Sequence, residues 1–256
     1  MLAELTANAA EDAASRQLTR PHADVERAAL ARPAALDALA ALAPAPKVKV
    51  IAEIKRASPS RGALAEIADP ATLARQYEIG GASAISVLTE GRRFKGSLAD
   101  LELVRETVRI PILRKDFIST EYQLLEARAA GADLALLIVG ALDDATLGRL
   151  YEFTTQLGMT ALVETHDGEE LARAAAIGAR LIGVNARDLN TFTLDRDLFG
   201  RLADQFPVDA IRVAESAVLT PSDVAHYRAA GADVVLVGEA LVTGDPVATL
   251  NSFLAV

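Results

Sequence analysis

Five residues in this chain have the types and surroundings that proton transfer requires: Glu53, Lys55, Lys115, Glu164 and Glu215. Each closes or follows a short run of Val, Ile and Leu. Glu53 and Lys55 are two apart, so they share one side of an extended strand. The same parity joins Lys115 to Leu113, Glu164 to Leu162 and Glu215 to Val213. If those apolar side chains face an interior, the ionisable ones face it too. Lysine usage sharpens the point. The chain has 21 Arg and only five Lys (Lys47, Lys49, Lys55, Lys95 and Lys115), yet two of the five end apolar runs. Arg keeps its proton, whereas a desolvated Lys shifts its pKa readily and can trade one. Pairing of each lysine with a neighbouring carboxylate explains one such residue more readily than two lysines and three glutamates together. The chemistry expected is general acid–base catalysis.

Further polar residues follow the same runs. Ser58 and Ser60 come after the first, Asn185 and Arg187 after the sixth, Ser216 after the seventh, and Gly238 in the eighth. Glu215-Ser216-Ala217 and Val237-Gly238-Glu239 occupy the two places where barrels usually bind phosphate with free backbone N–H groups. An ordinary strand-to-loop turn explains that segment equally well when it is read alone. His166 lies two residues beyond Glu164 and could share a metal with it. With three His and no Cys, a capping or surface role is the better expectation, and no metal site is expected. His22 and His226 read as surface residues. Arg92-Arg93-Phe94-Lys95 reads as a solvated basic loop that could guide an anion toward the rim.

The elements that must position these groups are eight apolar runs: 48–54, 84–89, 110–117, 134–139, 160–166, 181–185, 211–216 and 234–239. Little polar alternation within them predicts parallel strands buried on both faces. Their starts lie 36, 26, 24, 26, 21, 30 and 23 residues apart, and each gap holds a helix with two short loops. Asp69-Pro70 and Thr220-Pro221 mark helix starts, and Thr120/Gln123 and Asp167/Glu170 have capping-box spacing. Gly-Ala at 81–82, 131–132, 178–179 and 231–232 precedes every second run. That recurrence suggests a fourfold βαβα repeat, hence a closed (β/α)8 TIM barrel of the α/β class. A doubly wound open sheet is the alternative. It normally has fewer strands, and no Gly-x-Gly-x-x-Gly follows the first run here.

Residues 1–47 differ: 17 are Ala, and Pro21, Pro33, Pro44 and Pro46 interrupt them. We expect an N-terminal helical extension packed on the barrel, with helices near 2–18, 23–31 and 34–42, in preference to a loose tail. Leu36, Leu39 and Leu42 would form an apolar stripe on the last helix. Residues 48–256 would be the barrel, a single catalytic domain. The 256 residues are 51% apolar, enough for one large core. A net charge of -9 argues against nucleic acid, and the absence of Cys excludes disulfides, thiolate metal sites and a Cys nucleophile. The longest apolar run, 134–142, is too short for a membrane span, and no signal-peptide pattern opens the chain. A cytoplasmic protein with neither nucleic-acid nor membrane partners is expected. The sequence leaves oligomeric state open, with a monomer acceptable.

Longer motifs add a resemblance. Residues 51–60 (IAEIKRASPS), 86–89 (SVLT), 113–117 (LRKDF), 162–164 (LVE) and 183–189 (GVNARDL) resemble, in order, motifs of the indole-3-glycerol-phosphate synthase family. The likeness runs from about residue 48 to the end, and a helical extension fits the family as well. It implies closure of the indole ring of 1-(2-carboxyphenylamino)-1-deoxyribulose 5-phosphate, with loss of carbon dioxide and water and without metal or organic cofactor. Lys115 then resembles the general acid of ring closure, and Lys55, Glu53 and Glu164 match the residues of the later proton transfers. Asn185 and Glu215 resemble groups that hold sugar hydroxyls, and Arg187 one that helps hold the anthranilate carboxylate. Ser58, Ser216 and Gly238 resemble parts of the phosphate cradle, with Lys55 near it, and Phe117 would line the aromatic pocket.

One position departs from the pattern. The family usually has Glu-Ser-Gly where this chain has Glu215-Ser216-Ala217. An Ala there is expected to weaken phosphate binding if its φ is positive, and to matter little if φ is negative and the methyl points away. Two other readings compete with the synthase. A phosphoribosylanthranilate isomerase would need an acid and a base but no decarboxylation, and the five-residue rim and the long first motif argue against it. A phosphate-binding barrel without catalysis draws support from Ala217 alone.

Overall fold

Each of the eight apolar runs becomes a strand because both of its faces are covered. The computed structural model describes residues 1–58, 62–64, 67–188 and 191–256, with the backbone alone at residue 58. The strands are β1 (Lys49–Ile54), β2 (Ala84–Leu88), β3 (Ile112–Lys115), β4 (Leu134–Ile138), β5 (Thr160–Thr165), β6 (Leu181–Asn185), β7 (Ile211–Glu215) and β8 (Val234–Val237). All pair in parallel with their sequence neighbours, and β8 pairs with β1, which closes the barrel. The open-sheet alternative is thereby excluded. Ile51, Leu113, Leu136, Leu162, Val213 and Leu236 fill the interior. The alternating Val50, Ile85, Leu137, Val163, Ile182 and Val235 pack outward under the helices. Two apolar faces on one strand leave no polar alternation to read.

The helices are α1 (Leu2–Thr19), α2 (His22–Leu30), α3 (Ala38–Leu42), α4 (Pro70–Ile79), α5 (Leu98–Thr107), α6 (Glu121–Ala130), α7 (Asp144–Gln156), α8 (Gly168–Ala176), α9 (Leu198–Leu202), α10 (Pro221–Ala229), α11 (Glu239–Val242) and α12 (Pro246–Phe253). No helix is long and apolar enough to cross a membrane, among the described residues. Asp69 caps α4 and Thr120 with Gln123 forms a full capping box on α6. At α8 only half of the expected box forms. Asp167 accepts from the Glu170 N–H, but the Glu170 carboxylate turns to the backbone N–H of His166. The glycines of the four Gly-Ala pairs all take positive φ: 91° at Gly81, 98° at Gly131, 73° at Gly178 and 95° at Gly231.

Two boundaries differ from expectation for local reasons. The third strand is shorter than 110–117, because Pro111 has no N–H for the ladder and Asp116 turns its carboxylate onto the N–H of Phe117. The third helix begins at Ala38, not near 34. Asp37 caps it by accepting from the Ala40 N–H, and the Leu36 N–H is tied to Asp133. Its buried face is therefore Ala38 and Leu42, while Leu36 remains 39% exposed. A short ribbon, 57–58 against 62–63, follows β1 and was not foreseen.

The extension lies against the barrel. Ala13, Val25 and Ala29 pack on Tyr122, Leu125 and Ala129 of α6. Arg16 of α1 reaches Glu126 of α6 at 2.5 Å, and Glu126 lies 3.4 Å from Arg114. Arg114 is 1% exposed and bonds Asp116 at 2.9 Å. A buried charge that loses one partner costs about 3–5 kcal/mol, so this chain of ion pairs ties α1 firmly to the residues flanking Lys115. At the same end of the barrel, Arg92 bonds Asp12, Glu11 and Asn8, and Arg93 meets Glu4. The basic loop is solvated, as expected, with Arg92 40% and Arg93 50% exposed, and its two arginines pair with acidic residues of α1.

Candidate active site

The interior parity carries Glu53, Lys115, Glu164 and Glu215 into one volume above the apolar layers. They line a cavity of about 660 Å³ at the C-terminal end of the strands, together with Lys55. The three carboxylates are nearly inaccessible: Glu53 is 3% exposed, Glu164 1% and Glu215 1%. Charges so buried must be paired, and two lysines pair them. Lys115 Nζ lies 2.8 Å from Glu215 Oε2 and 3.2 Å from Glu164 Oε2. Lys55 Nζ lies 2.7 Å from Glu53 Oε1, and the Ser86 hydroxyl approaches Glu53 Oε2 at 3.4 Å.

The pairing sets the protonation states. Burial pulls the Lys115 pKa down, but Glu215, Glu164 and Glu53 outweigh it and raise the pKa above the ordinary lysine value. The expectation that desolvation eases proton loss is thus reversed by the three carboxylates around this lysine. Burial pushes Glu53 and Glu164 up, yet Lys55 with Lys115, and Lys115 with His166, leave both net lowered and ionised. Glu215 behaves oppositely. Its burial and the neighbouring Glu164 charge raise it to about 8 despite Lys115.

The other expected residues gather around this centre. Asn185 donates from Nδ2 to Glu164 Oε1 at 3.1 Å, while its Oδ1 accepts from the Ser216 hydroxyl at 2.8 Å and from the Arg187 N–H at 3.0 Å. Arg187, Phe117, Ser216, Ala217 and Gly238 all line the cavity. Phe117 is joined by Phe94, ring centroids 6.0 Å apart. Ser216 and Ala217 are consecutive left-handed residues, with φ of 69° and 57°. The Ser58 side chain and Ser60 lie outside the described residues.

Sequence reading missed four contributors. Leu5 of α1 reaches the cavity wall, as do Phe94 and Leu194. Gly183 stands in the middle of β6 because a Cβ there would overlap Glu215 Oε1. A glycine inside a strand was the available signal for such a close approach. Gly238 has a second reason to lack a side chain: a Cβ would sit 2.8 Å from Glu53 Oε1 and 3.3 Å from Lys55 Nζ. His166, expected at the surface or in a cap, is instead mostly buried, with Nε2 3.3 Å from Glu164 Oε1. Among the described residues no three His, Asp or Glu side chains are grouped to hold a metal ion.

Known proteins resemble this chain to different depths. The family model described as indole-3-glycerol phosphate synthase matches residues 2–252. A protein of that name from Leifsonia xyli is 67% identical across 99% of this chain and 97% of its own length. Another from Micrococcus luteus is 55% identical across 100% of this chain and 97% of its own. Solved structures of a thiamine phosphate pyrophosphorylase from Pyrococcus furiosus and an N-acetylmannosamine-6-phosphate 2-epimerase from Clostridium perfringens each superpose with a TM-score of 0.60. The first covers 80% of this chain and 93% of its own at 13% identity, the second 77% and 88% at 16%, so they share the fold alone. With a match over nearly its whole length and relatives well above half identical, the chain belongs to the indole-3-glycerol phosphate synthase family.

Proposed function

We propose that this chain closes the indole ring of 1-(2-carboxyphenylamino)-1-deoxyribulose 5-phosphate, releasing carbon dioxide and water, as a carboxy-lyase of tryptophan synthesis. The observation that carries this reading is the meeting of Lys115 with Glu164 and Glu215 beside the Lys55–Glu53 pair. Ring closure forms a carbon–carbon bond between the aromatic carbon bearing the carboxylate and the substrate's carbonyl carbon. The carbonyl oxygen must then gain a proton, and Lys115 is the acid that gives it. Its carboxylate partners keep it protonated at neutral pH. The carboxyl group next leaves as carbon dioxide, and its bonding pair restores the aromatic ring.

Loss of the hydroxyl as water needs a second acid, and a base must take the last proton. Lys55, Glu53 and Glu164 serve these transfers, since Glu53 and Glu164 are held ionised and Lys55 faces Glu53 at 2.7 Å. Asn185 and Glu215 would hold the sugar hydroxyls, and Arg187 the anthranilate carboxylate. Phe117 would lie against the aromatic ring. The phosphate would rest on Ser216, Ala217 and Gly238, near Lys55, with Ser58 completing the cradle. A bound anion there gains from backbone N–H groups that no strand uses. We further propose that residues 1–47 form an extension of one catalytic domain, 48–256, acting in the cytoplasm on a small phosphosugar substrate. Equal yields of carbon dioxide and indole product from the purified protein would test the reading. Substrate binding without either product would replace it with a barrel that only binds.

A further inference from the structure

His166 is the first residue past β5 and shares a face with Glu164 two positions earlier. Its ring lies between two carboxylates. Nε2 faces Glu164 Oε1 at 3.3 Å, and Nδ1 lies 3.1 Å from Glu170 Oε2. The same Glu170 oxygen accepts the backbone N–H of His166 at 2.8 Å. Glu170 is itself fixed in place. It sits in the first turn of α8, where Asp167 accepts its N–H at 2.8 Å. A Cβ at Gly140 would overlap Glu170 Oε1, so the glycine opens the room the carboxylate uses.

A neutral imidazole carries one N–H and one lone pair. Between two carboxylates it would aim that lone pair at one of them, in a place where only 13% of the side chain is exposed. The doubly protonated ring suits both neighbours: Nδ1 hydrogen-bonds Glu170, and Nε2, which makes no hydrogen bond among the described residues, meets the Glu164 carboxylate through charge at 3.3 Å. The charges around it agree. Glu164 and Glu170 act on the ring directly, and Glu164 in turn meets Lys115 and Asn185, with Glu53 and Glu215 close by. Glu215 is raised to about 8 and is largely protonated at neutral pH, which leaves Glu53 and Glu164 facing the two lysines; an imidazolium at His166 pairs the remaining carboxylate, Glu170, and adds a second cation beside Glu164.

We infer that His166 and Glu170 are positioning residues. His166, clamped as an imidazolium by Glu170, holds the Glu164 carboxylate ionised and aimed at Lys115. The inference rests on the proposed reaction for its catalytic meaning. It does not place His166 against the substrate. Burial opposes the charge on the ring, but Glu164 and Glu170 prevail and raise its pKa to about 10.

The test combines steady-state kinetics with 15N NMR of the ring nitrogens in the full chain. His166→Gln should lower kcat roughly ten- to hundredfold, the cost of a carboxylate displaced by a fraction of an ångström. KM should change less than about threefold, since His166 is not among the residues that line the cavity. The acidic limb of the kcat profile should move to higher pH, because Glu164 has lost a cation. In the wild type both ring nitrogens should be protonated at pH 8, and Glu170→Gln, which keeps the imidazole, should lower that pKa by at least about one unit. A neutral His166 ring at pH 8 overturns the inference, whatever the folding of the His166→Gln variant. So does a folded His166→Gln enzyme with wild-type kcat and an unmoved acidic limb. If the wild type itself does not turn over, the synthase reading fails, while the NMR titration still decides whether the clamp exists.

Discussion

Ala217 offers a perturbation whose size can be worked from the backbone. Its φ is 57°, and that of Ser216 before it is 69°, so two residues with side chains lie side by side in the left-handed region. Such a conformation costs a residue with a Cβ about 1–2 kcal/mol. Glycine removes the cost but gives the unfolded chain more freedom, worth about 0.4–1 kcal/mol in the opposite direction. Ala217→Gly should therefore stabilise the protein by between about 0 and 1.6 kcal/mol, raising Tm by up to about 3–6 °C for a domain of this size. Circular dichroism melts at fixed pH would measure it. The residue also lines the cavity, so removing its methyl should widen the proposed phosphate cradle. Relief of about 1 kcal/mol in the bound state corresponds to about fivefold in affinity, and KM should fall by up to that factor with kcat little changed. Ala217→Val should do the reverse on both measures. An Ala217→Gly protein that melts lower and shows an unchanged KM would refute the reasoning, because the methyl would then be neither strained nor in the way.

Two further outcomes follow from the buried charges. Gly183→Ala places a methyl where Glu215 Oε1 rests, so the carboxylate must swing from Lys115. Since the obstacle is the end of a flexible side chain, Tm should change little while kcat/KM falls roughly a hundredfold; a lowered Tm with unchanged kcat/KM would show that Glu215 has no part in the reaction. Stability should also decline as pH rises. Glu215 and His166 are both raised on folding, to about 8 and about 10. Their contributions are complete below the unfolded pKa values, about 4.3 and 6.5, and are lost as pH passes through the folded ones. Tm should be higher at pH 6 than at pH 10, and His166→Gln should flatten the decline between pH 6.5 and 10. Glu53 and Glu164 are lowered, so their contribution is lost instead in acid below about pH 4.5. A Tm that rises from pH 6 to pH 10 would contradict these assignments.

The barrel was legible because its signals repeat. Eight doubly buried runs and four Gly-Ala stops are read from residue type and spacing, and each has one physical cause. The strand-end lysines and glutamates were legible for a similar reason: strand parity places residues two apart on one face. What could not be read depended on contacts distant in sequence. Leu5 reaches the cavity because Leu2, Leu5 and Ala9 of α1 pack onto the barrel interior and Ala13 onto α6, contacts that lie far apart in sequence. His166 read as a surface or capping residue because three His and no Cys argued against a metal site. Instead, Glu170 turned its carboxylate to His166, and Gly140 from another loop made the room. The direction of the Lys115 shift also depended on distance in sequence. One lysine near one carboxylate can be inferred from spacing, but the balance among Glu53, Glu164 and Glu215 required their positions in space.

If Lys115 gives the proton that closes the indole ring, its removal must show directly in product formation. Purified protein should be mixed with 1-(2-carboxyphenylamino)-1-deoxyribulose 5-phosphate and followed by indole fluorescence, which a chain without Trp leaves unobscured. The wild type should give a time-dependent rise. Lys115→Ala should lose about a hundred- to ten-thousandfold in rate, the usual weight of a positioned general acid. A Lys115→Ala protein, folded by circular dichroism, that makes product at the wild-type rate would contradict it.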